Sequence, residues 1–296
     1  MATQPSKSSK ALIIAIIATL VVAISAISIM LLVIKPAAPA EPTEEDDSGR
    51  TISVLPDYID LQFPVDQWAN TVSGNVGIQV YDLNHGYVTA RVNENRKFEI
   101  DSLYKLFVAL EGYLRIARHQ TDADEEYLEN TTRSMCLDLI LRESNSACAE
   151  KMLGEIGRRE LNDIYTAKGF SNTNLLEYTS TAADIALLMR TYFDHAGLSE
   201  ETWNTIQDSL IGQGTDQRRG LPSGFKVATV YNKAGWYSAD NENWARYHDA
   251  AIIVFPELNR YYVAVVLTEN ISPRDIVNLG RYIEDYVLVA DGVKER

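Results

Sequence analysis

The sequence predicts an α/β (α+β) fold in which an antiparallel sheet, built from both ends of one domain, is flanked by helices and interrupted by an inserted all-α lobe. Three observations carry this expectation. Two β runs come first, at residues 76–82 and 86–92; helical spacings fill the middle of the chain; β runs return after Phe225 and lead into one last amphipathic helix.

The N-terminal elements come from composition. Lys7 and Lys10 precede residues 11–34, ALIIAIIATLVVAISAISIMLLVI, a stretch without charge. At about 1.5 Å per residue it is long enough to cross a hydrocarbon core of about 30 Å. A transmembrane signal anchor after a cytoplasmic tail of residues 1–10 is therefore expected. Cleavage of a signal peptide after Ala40, in Ala38-Pro39-Ala40, is the rival reading, and the length of the apolar stretch favours retention. Lysines before the span and acids after it orient the rest of the chain outside the cell membrane, as a single-pass protein with an extracytoplasmic domain. Residues 35–56 are rich in proline, alanine and acids and read as an extracytoplasmic linker without a core. The acidic run 41–47 within it reads as solvated rather than cation-binding. Residues 57–296 are left for the folded domain. The formal net charge of −14 argues against a nucleic-acid partner.

Within the domain, the turn Asn84-His85-Gly86 between two β runs is a hairpin signature. Apolar residues then fall at helical spacing: Phe107, Leu110, Leu114 and Ile116; Met135, Leu137, Ile140 and Leu141; Ala183, Ile185, Leu187 and Leu188. Late strands are expected at 226–232, 250–255 and 261–267, and a helix from about 273 to 287. The cleft between sheet and lobe is the expected place for a site.

At the start of the first helical run stands Ser102-Leu-Tyr-Lys105. Residues three apart on a helix share a face. A lysine so placed can reach the serine hydroxyl, and burial lowers its pKa until the free amine can take a proton. A second Ser-x-x-Lys, Ser223-Gly-Phe-Lys226, follows Leu221-Pro222 and contains a glycine, so it reads as a turn leading into a strand.

Two further patterns follow, Ser144-Asn145-Ser146 between helical runs and Lys233-Ala234-Gly235 at the end of a late strand. Taken singly, Ser144 reads equally as a helix cap and Lys233 as a solvated strand end. In order, however, the three patterns resemble those of the penicillin-recognising serine hydrolases, the class A β-lactamases and DD-peptidases, over nearly all of residues 57–296. The resemblance implies a β-lactamase/transpeptidase-like fold and a set of roles. Ser102 would be the nucleophile and Lys105 its base, while Ser144 would pass a proton to the departing nitrogen. Asn145 or Ser146 would hold the substrate amide. Lys233, with Ala234 and Gly235, would meet the substrate carboxylate, and the amides of Ser102 and Trp236 would form an oxyanion hole.

Three departures from that family matter. Ser146 stands where a carboxamide is usual, Ala234 replaces a threonine, and residues 169–181 form a short stretch in which Glu177 is the one acid available as a deacylation base. Cys136 and Cys148 would lie about 18 Å apart on an unbroken helix. A disulfide therefore requires the chain to turn between them, which Ser144-Asn145-Ser146 allows; two buried thiols are the alternative. His85, His119, His195 and His248 show no metal-binding spacing, and His248 beside Asp249 reads as structural. Neither a metal nor a cofactor is expected. Trp236 and Tyr237 read as cleft-lining or edge-strand aromatics.

The resulting expectation is a membrane-anchored serine hydrolase that opens β-lactam amides through an acyl-enzyme on Ser102. A DD-peptidase acting on D-Ala-D-Ala cell-wall peptides is the alternative, and a non-catalytic module binding wall peptides or a partner protein is the second.

Overall fold

The computed structural model describes residues 43–45, 51–53, 58–195, 197–238 and 244–294. The expected anchor, residues 11–34, and the Ala40 cleavage site lie outside the described residues. Among those described, no helix is long and apolar enough to cross a membrane. The chain divides into two units, Met1–Asp57 and Tyr58–Arg296. In the first, the short strands Thr43–Glu45 and Thr51–Ser53 pair antiparallel, Thr43 opposite Ser53.

The second unit opens with α1 (Gln62–Ala69), a helix the sequence reading did not anticipate. Its centre is a five-stranded antiparallel sheet: β1 (Asn75–Asp82), β2 (Tyr87–Val92), β3 (Thr229–Ser238), β4 (Trp244–Phe255) and β5 (Arg260–Glu269), in the order β2-β1-β5-β4-β3. Strands from both ends of the chain thus share one sheet, as expected. Between β2 and β3 come α2 (Tyr104–Ala117), α3 (Arg133–Arg142), α4 (Ser146–Ile156), α5 (Arg158–Ala167), α6 (Ala182–Phe193) and α7 (Glu200–Ile211), and α8 (Pro273–Ala290) closes the chain.

The sheet is covered on both faces, which is why its inner strands read as continuous apolar runs. On β5, Val263, Val265 and Leu267 join the core formed with the helical lobe, whereas Tyr262, Ala264 and Val266 join the core formed with α1 and α8. That is strand alternation dividing one element between two cores. Helix α2 is buried at every residue from Lys105 to Leu114, the pattern of a helix enclosed on all sides. Helices α3, α6, α7 and α8 begin at capping side chains: Thr132 accepts from the Met135 amide, Thr181 from Asp184, Ser199 from Thr202, and Ser272 forms a capping box with Asp275.

The late strands are longer than expected, β3 ending at Ser238 rather than 232, β4 starting at Trp244 rather than 250 and β5 spanning Arg260–Glu269 rather than 261–267. Two further boundaries differ for a visible reason. The strand expected at 226–232 begins at Thr229, because the Glu284 carboxylate of α8 takes the amides of Lys226 (2.9 Å to Oε1), Val227 (2.9 Å) and Ala228 (3.3 Å) before a ladder can. The last helix runs on to Ala290 rather than stopping near 287, with Val287 buried in the sheet-side core.

Candidate active site

Ser102 lies in a 3₁₀ turn, Asp101–Leu103, that leads directly into α2. This places Lys105 on the same face one turn on, with its Nζ 3.2 Å from Ser102 Oγ. Lys105 is only 2% exposed, and its ammonium would have to satisfy four oxygens with three hydrogens. Besides Ser102 Oγ these are Ser144 O at 2.6 Å, Ser144 Oγ at 3.2 Å and Ser146 Oγ at 3.1 Å. Burial lowers the Lys105 pKa to about 8, with the Glu150 carboxylate pulling the other way. By that value about one lysine in ten is a free amine at pH 7. Its lone pair can then accept the Ser102 proton while its two remaining N–H groups keep Ser144 O and a hydroxyl.

Ser144 is the hinge of the arrangement. It holds a left-handed φ of 57° in the turn between α3 and α4. That conformation aims both its carbonyl and its hydroxyl at Lys105, and Ser144 Oγ also accepts from Lys233 Nζ at 3.0 Å. Cys136 and Cys148 are disulfide-bonded with Cα atoms 5.3 Å apart, so the bridge expected across this turn is present and ties α3 to α4 around Ser144. Lys233 is fully buried. Burial, and then repulsion from Lys105, lower its pKa to about 7, opposed by Asp249. Asp249 is itself raised to about 7 by burial, despite hydrogen bonds from Asn232 (2.8 Å) and the Leu221 amide (2.9 Å).

β3 is the edge strand of the sheet, and Gly235 brings it against the nucleophile. A Cβ at residue 235 would lie 2.9 Å from Ile100 O and 3.1 Å from both Ser102 N and Leu103 N, so only glycine permits the approach. The next residue, Trp236, stacks on Tyr247 with ring centroids 5.9 Å apart and lines a cavity of about 300 Å³. Ser102, Lys105, Ser146, Glu177, Tyr104 and Tyr178 line the same cavity. A larger groove of about 650 Å³ between α1 and α8, lined by Phe63, Tyr282 and Tyr286, holds no nucleophile and base.

The structure shows where two of the expected contact residues direct their side chains. The Asn145 side chain accepts from the Cys148 amide at 2.9 Å as the N-cap of α4, so Asn145, not Ser144, is the cap, and Ser146 is the member of the pair that lines the cavity. The Ala234 methyl belongs to the core on the far face of the sheet, so this residue offers its backbone alone, and its carbonyl accepts from Lys233 Nζ at 2.9 Å. Strand alternation is the cause in the second case and helix capping in the first.

Sequence reading missed the support beneath the nucleophile. Asp101 has a left-handed φ of 44°, a region that aspartate tolerates better than most residues. Its carboxylate accepts from Arg246 Nε at 2.9 Å and Nη2 at 3.1 Å and lies 3.3 Å from His248 Nε2. Burial pushes the Asp101 carboxyl up, but the bonds from His248 and Arg246 prevail and hold it below the ordinary value. His248 Nδ1 accepts the Thr268 amide (3.0 Å), so the ring hydrogen sits on Nε2, where it donates to Glu99 O (2.7 Å). His248 is thus a buried brace, as read. The spacing of Arg246 and His248, two apart on a strand, was the available signal that both face the nucleophile's turn. Among the described residues no group of three His, Cys, Asp or Glu side chains is arranged to hold a metal.

Comparison with known proteins places this geometry. Among solved structures, a β-lactamase from Chitinophaga pinensis DSM 2588 superposes with a TM-score of 0.68 at 15% identity, covering 77% of this chain and all of the other. The TLA-1 extended-spectrum β-lactamase gives 0.67 at 16% identity over 79% of this chain and 98% of its own, and PBP-A gives 0.67 at 18% over 79% and 99%. At such identities the likeness is one of fold. A comparison with curated protein sequences found no match. The model of the β-lactamase enzyme family, by contrast, matches residues 64–287, which include all three sequence patterns and both lysines. This chain therefore belongs to the β-lactamase enzyme family, within the penicillin-recognising serine hydrolases.

Proposed function

We propose that the protein is a membrane-anchored, extracytoplasmic serine hydrolase that opens β-lactam amides through an acyl-enzyme on Ser102. The observation that carries this reading is the hydrogen-bonded path Ser102 Oγ, Lys105 Nζ, Ser144 Oγ, Lys233 Nζ, with every step at 3.0–3.2 Å and the Lys105 pKa lowered to about 8. Neutral Lys105 takes the Ser102 proton as Oγ attacks the carbonyl carbon. The amides of Ser102 and Trp236 receive the developing oxyanion. Ser144 then donates its proton to the departing nitrogen and is resupplied from a lysine, leaving an ester on Ser102. A substrate carboxylate near Lys233 would favour its charged form and so offset the burial that now lowers its pKa. Residues 11–34 are the proposed anchor.

A DD-peptidase is the second reading, favoured by the release half of the reaction. Glu177, the one acid the short loop offers for deacylation, is exposed rather than enclosed with a water in the site. The test is to react the full-length chain with a fluorescent penicillin and follow the adduct. An adduct that forms on Ser102 and turns over rapidly supports the first reading; a long-lived one, lost in Ser102→Ala, supports the second. Absence of any adduct would refute both and leave a binding module.

A further inference from the structure

Resting on that reading of the site, we infer that Glu177 selects substrates carrying a positive charge, an ammonium group, on the acyl side chain, the side of the scissile carbonyl away from the ring nitrogen. The ring nitrogen and the carboxylate beside it must lie by Ser144 and Lys233, which supply the nitrogen's proton and meet the carboxylate. After the C–N bond breaks, this half stays tethered through the opened ring. The acyl side chain on the other side of the carbonyl then occupies the rest of the cavity, whose wall is Tyr104, Glu177 and Tyr178. The Tyr104 and Tyr178 rings lie 4.6 Å apart, with Arg158 over Tyr178 at 4.5 Å, Lys105 Nζ 5.8 Å from the Tyr104 ring centre and the Tyr104 hydroxyl donating to Glu150, so the attraction for a cation rests on the Glu177 carboxylate.

The charges facing the cavity are unequal in availability. Asp101 and Glu99 are both engaged by Arg246, at 2.9 Å each. Lys105 is held by its four oxygens. Glu177 alone of the lining carboxylates makes no ion pair among the described residues, and its side chain is exposed to the cavity mouth. It is also well placed rather than loosely hung. Asn174 and Thr179 exchange backbone hydrogen bonds across the loop at 2.8 and 3.0 Å. The Leu175 amide is held by Asn162 (2.9 Å) and the Leu176 amide by the Asn174 side chain (3.0 Å). Tyr178 O accepts from Ile100 N at 2.8 Å, two residues before the nucleophile, and Glu99 pairs with Thr179. The short loop thus fastens residue 177 beside the turn that carries Ser102.

The test compares acylation of the full-length chain by ampicillin, benzylpenicillin and carbenicillin, which share a nucleus and carry an ammonium, no charge and a carboxylate on the acyl side chain. At pH 6.5 and low salt, second-order acylation should fall in that order, by about fivefold per step, the size expected of a partly exposed charge pair. The ampicillin to carbenicillin ratio should fall to about one in Glu177→Gln and invert in Glu177→Lys. A ratio unchanged in both variants overturns the inference while the reading of Ser102 stands. So does a Glu177→Gln enzyme that keeps the ratio but no longer releases its adduct, which would make Glu177 a base. Acylation by none of the three would overturn the inference together with the reading beneath it.

Discussion

Ser102-x-x-Lys105 and Ser223-x-x-Lys226 have the same spacing of the same residues, and they share nothing else. In the first pair the side chains meet at 3.2 Å, the lysine is buried, and burial lowers its pKa to about 8. In the second, Ser223 lies in the 3₁₀ turn Leu221–Gly224, the chain is extended again at Phe225 before Lys226, and Ser223 Oγ donates to Arg218 O at 2.6 Å. The Lys226 amide is held by Glu284 while its side chain lies exposed. A serine and a lysine become nucleophile and base only when a helix aligns them and a core desolvates the amine.

The difference can be broken most directly at the lysines. Lys105→Ala should slow penicillin acylation by about 10³, the usual scale for a lost general base, whereas Lys226→Ala should leave it unchanged. In the unaltered protein the acylation rate should climb with pH and reach half its maximum near pH 8, since the reactive species is the deprotonated amine and its pKa is lowered, not raised. A profile still rising at pH 10 would show an ordinary lysine and refute the burial argument.

Smaller effects probe what holds each region. Replacing Cys136 and Cys148 together with serine should cost about 3 kcal/mol in denaturant unfolding, the scale for a loop of this length, and should loosen Ser144 enough to slow acylation. Stability equal to that of the unaltered protein would mean that the turn is held by its hydrogen bonds alone. Around the second pair, Glu284→Ala should cost about 2 kcal/mol by stripping the acceptor from the amides of Lys226, Val227 and Ala228. Acylation of Ser102 by penicillin should survive that change, and its loss would indicate that the two regions are coupled.

Much of the architecture was legible beforehand because it rests on local periodicity. Alternation marked the hairpin of β1 and β2 and the apolar runs of β4 and β5, and 3.6-residue spacing marked the lobe. The strand boundary at Thr229 was not legible, because the group that sets it, Glu284, is 55 residues away in sequence from Thr229. Helix α1 escaped notice because Gln62–Ala69 is short and buries only Pro64, Val65 and Trp68. In the site, Ser102, Lys105, Ser144 and Lys233 could be named from order and resemblance. Asn145 and Ala234 could be named too, but which way each side chain points depends on a cap and on a strand face.

The amino-acid sequence by itself determined the chemistry that is available: one serine with a lysine a helical turn away, a Ser-Asn-Ser turn, a Lys-Ala-Gly strand, and two cysteines with a turn between them. Tertiary structure decided which of these groups act together. Only packing buries Lys105 and Lys233 around one serine hydroxyl, presses Gly235 against the Ser102 backbone, and sets Asp101 under Arg246 and His248. The physical reason is that desolvation and close approach belong to pairs of elements far apart in the chain, and no local pattern records them.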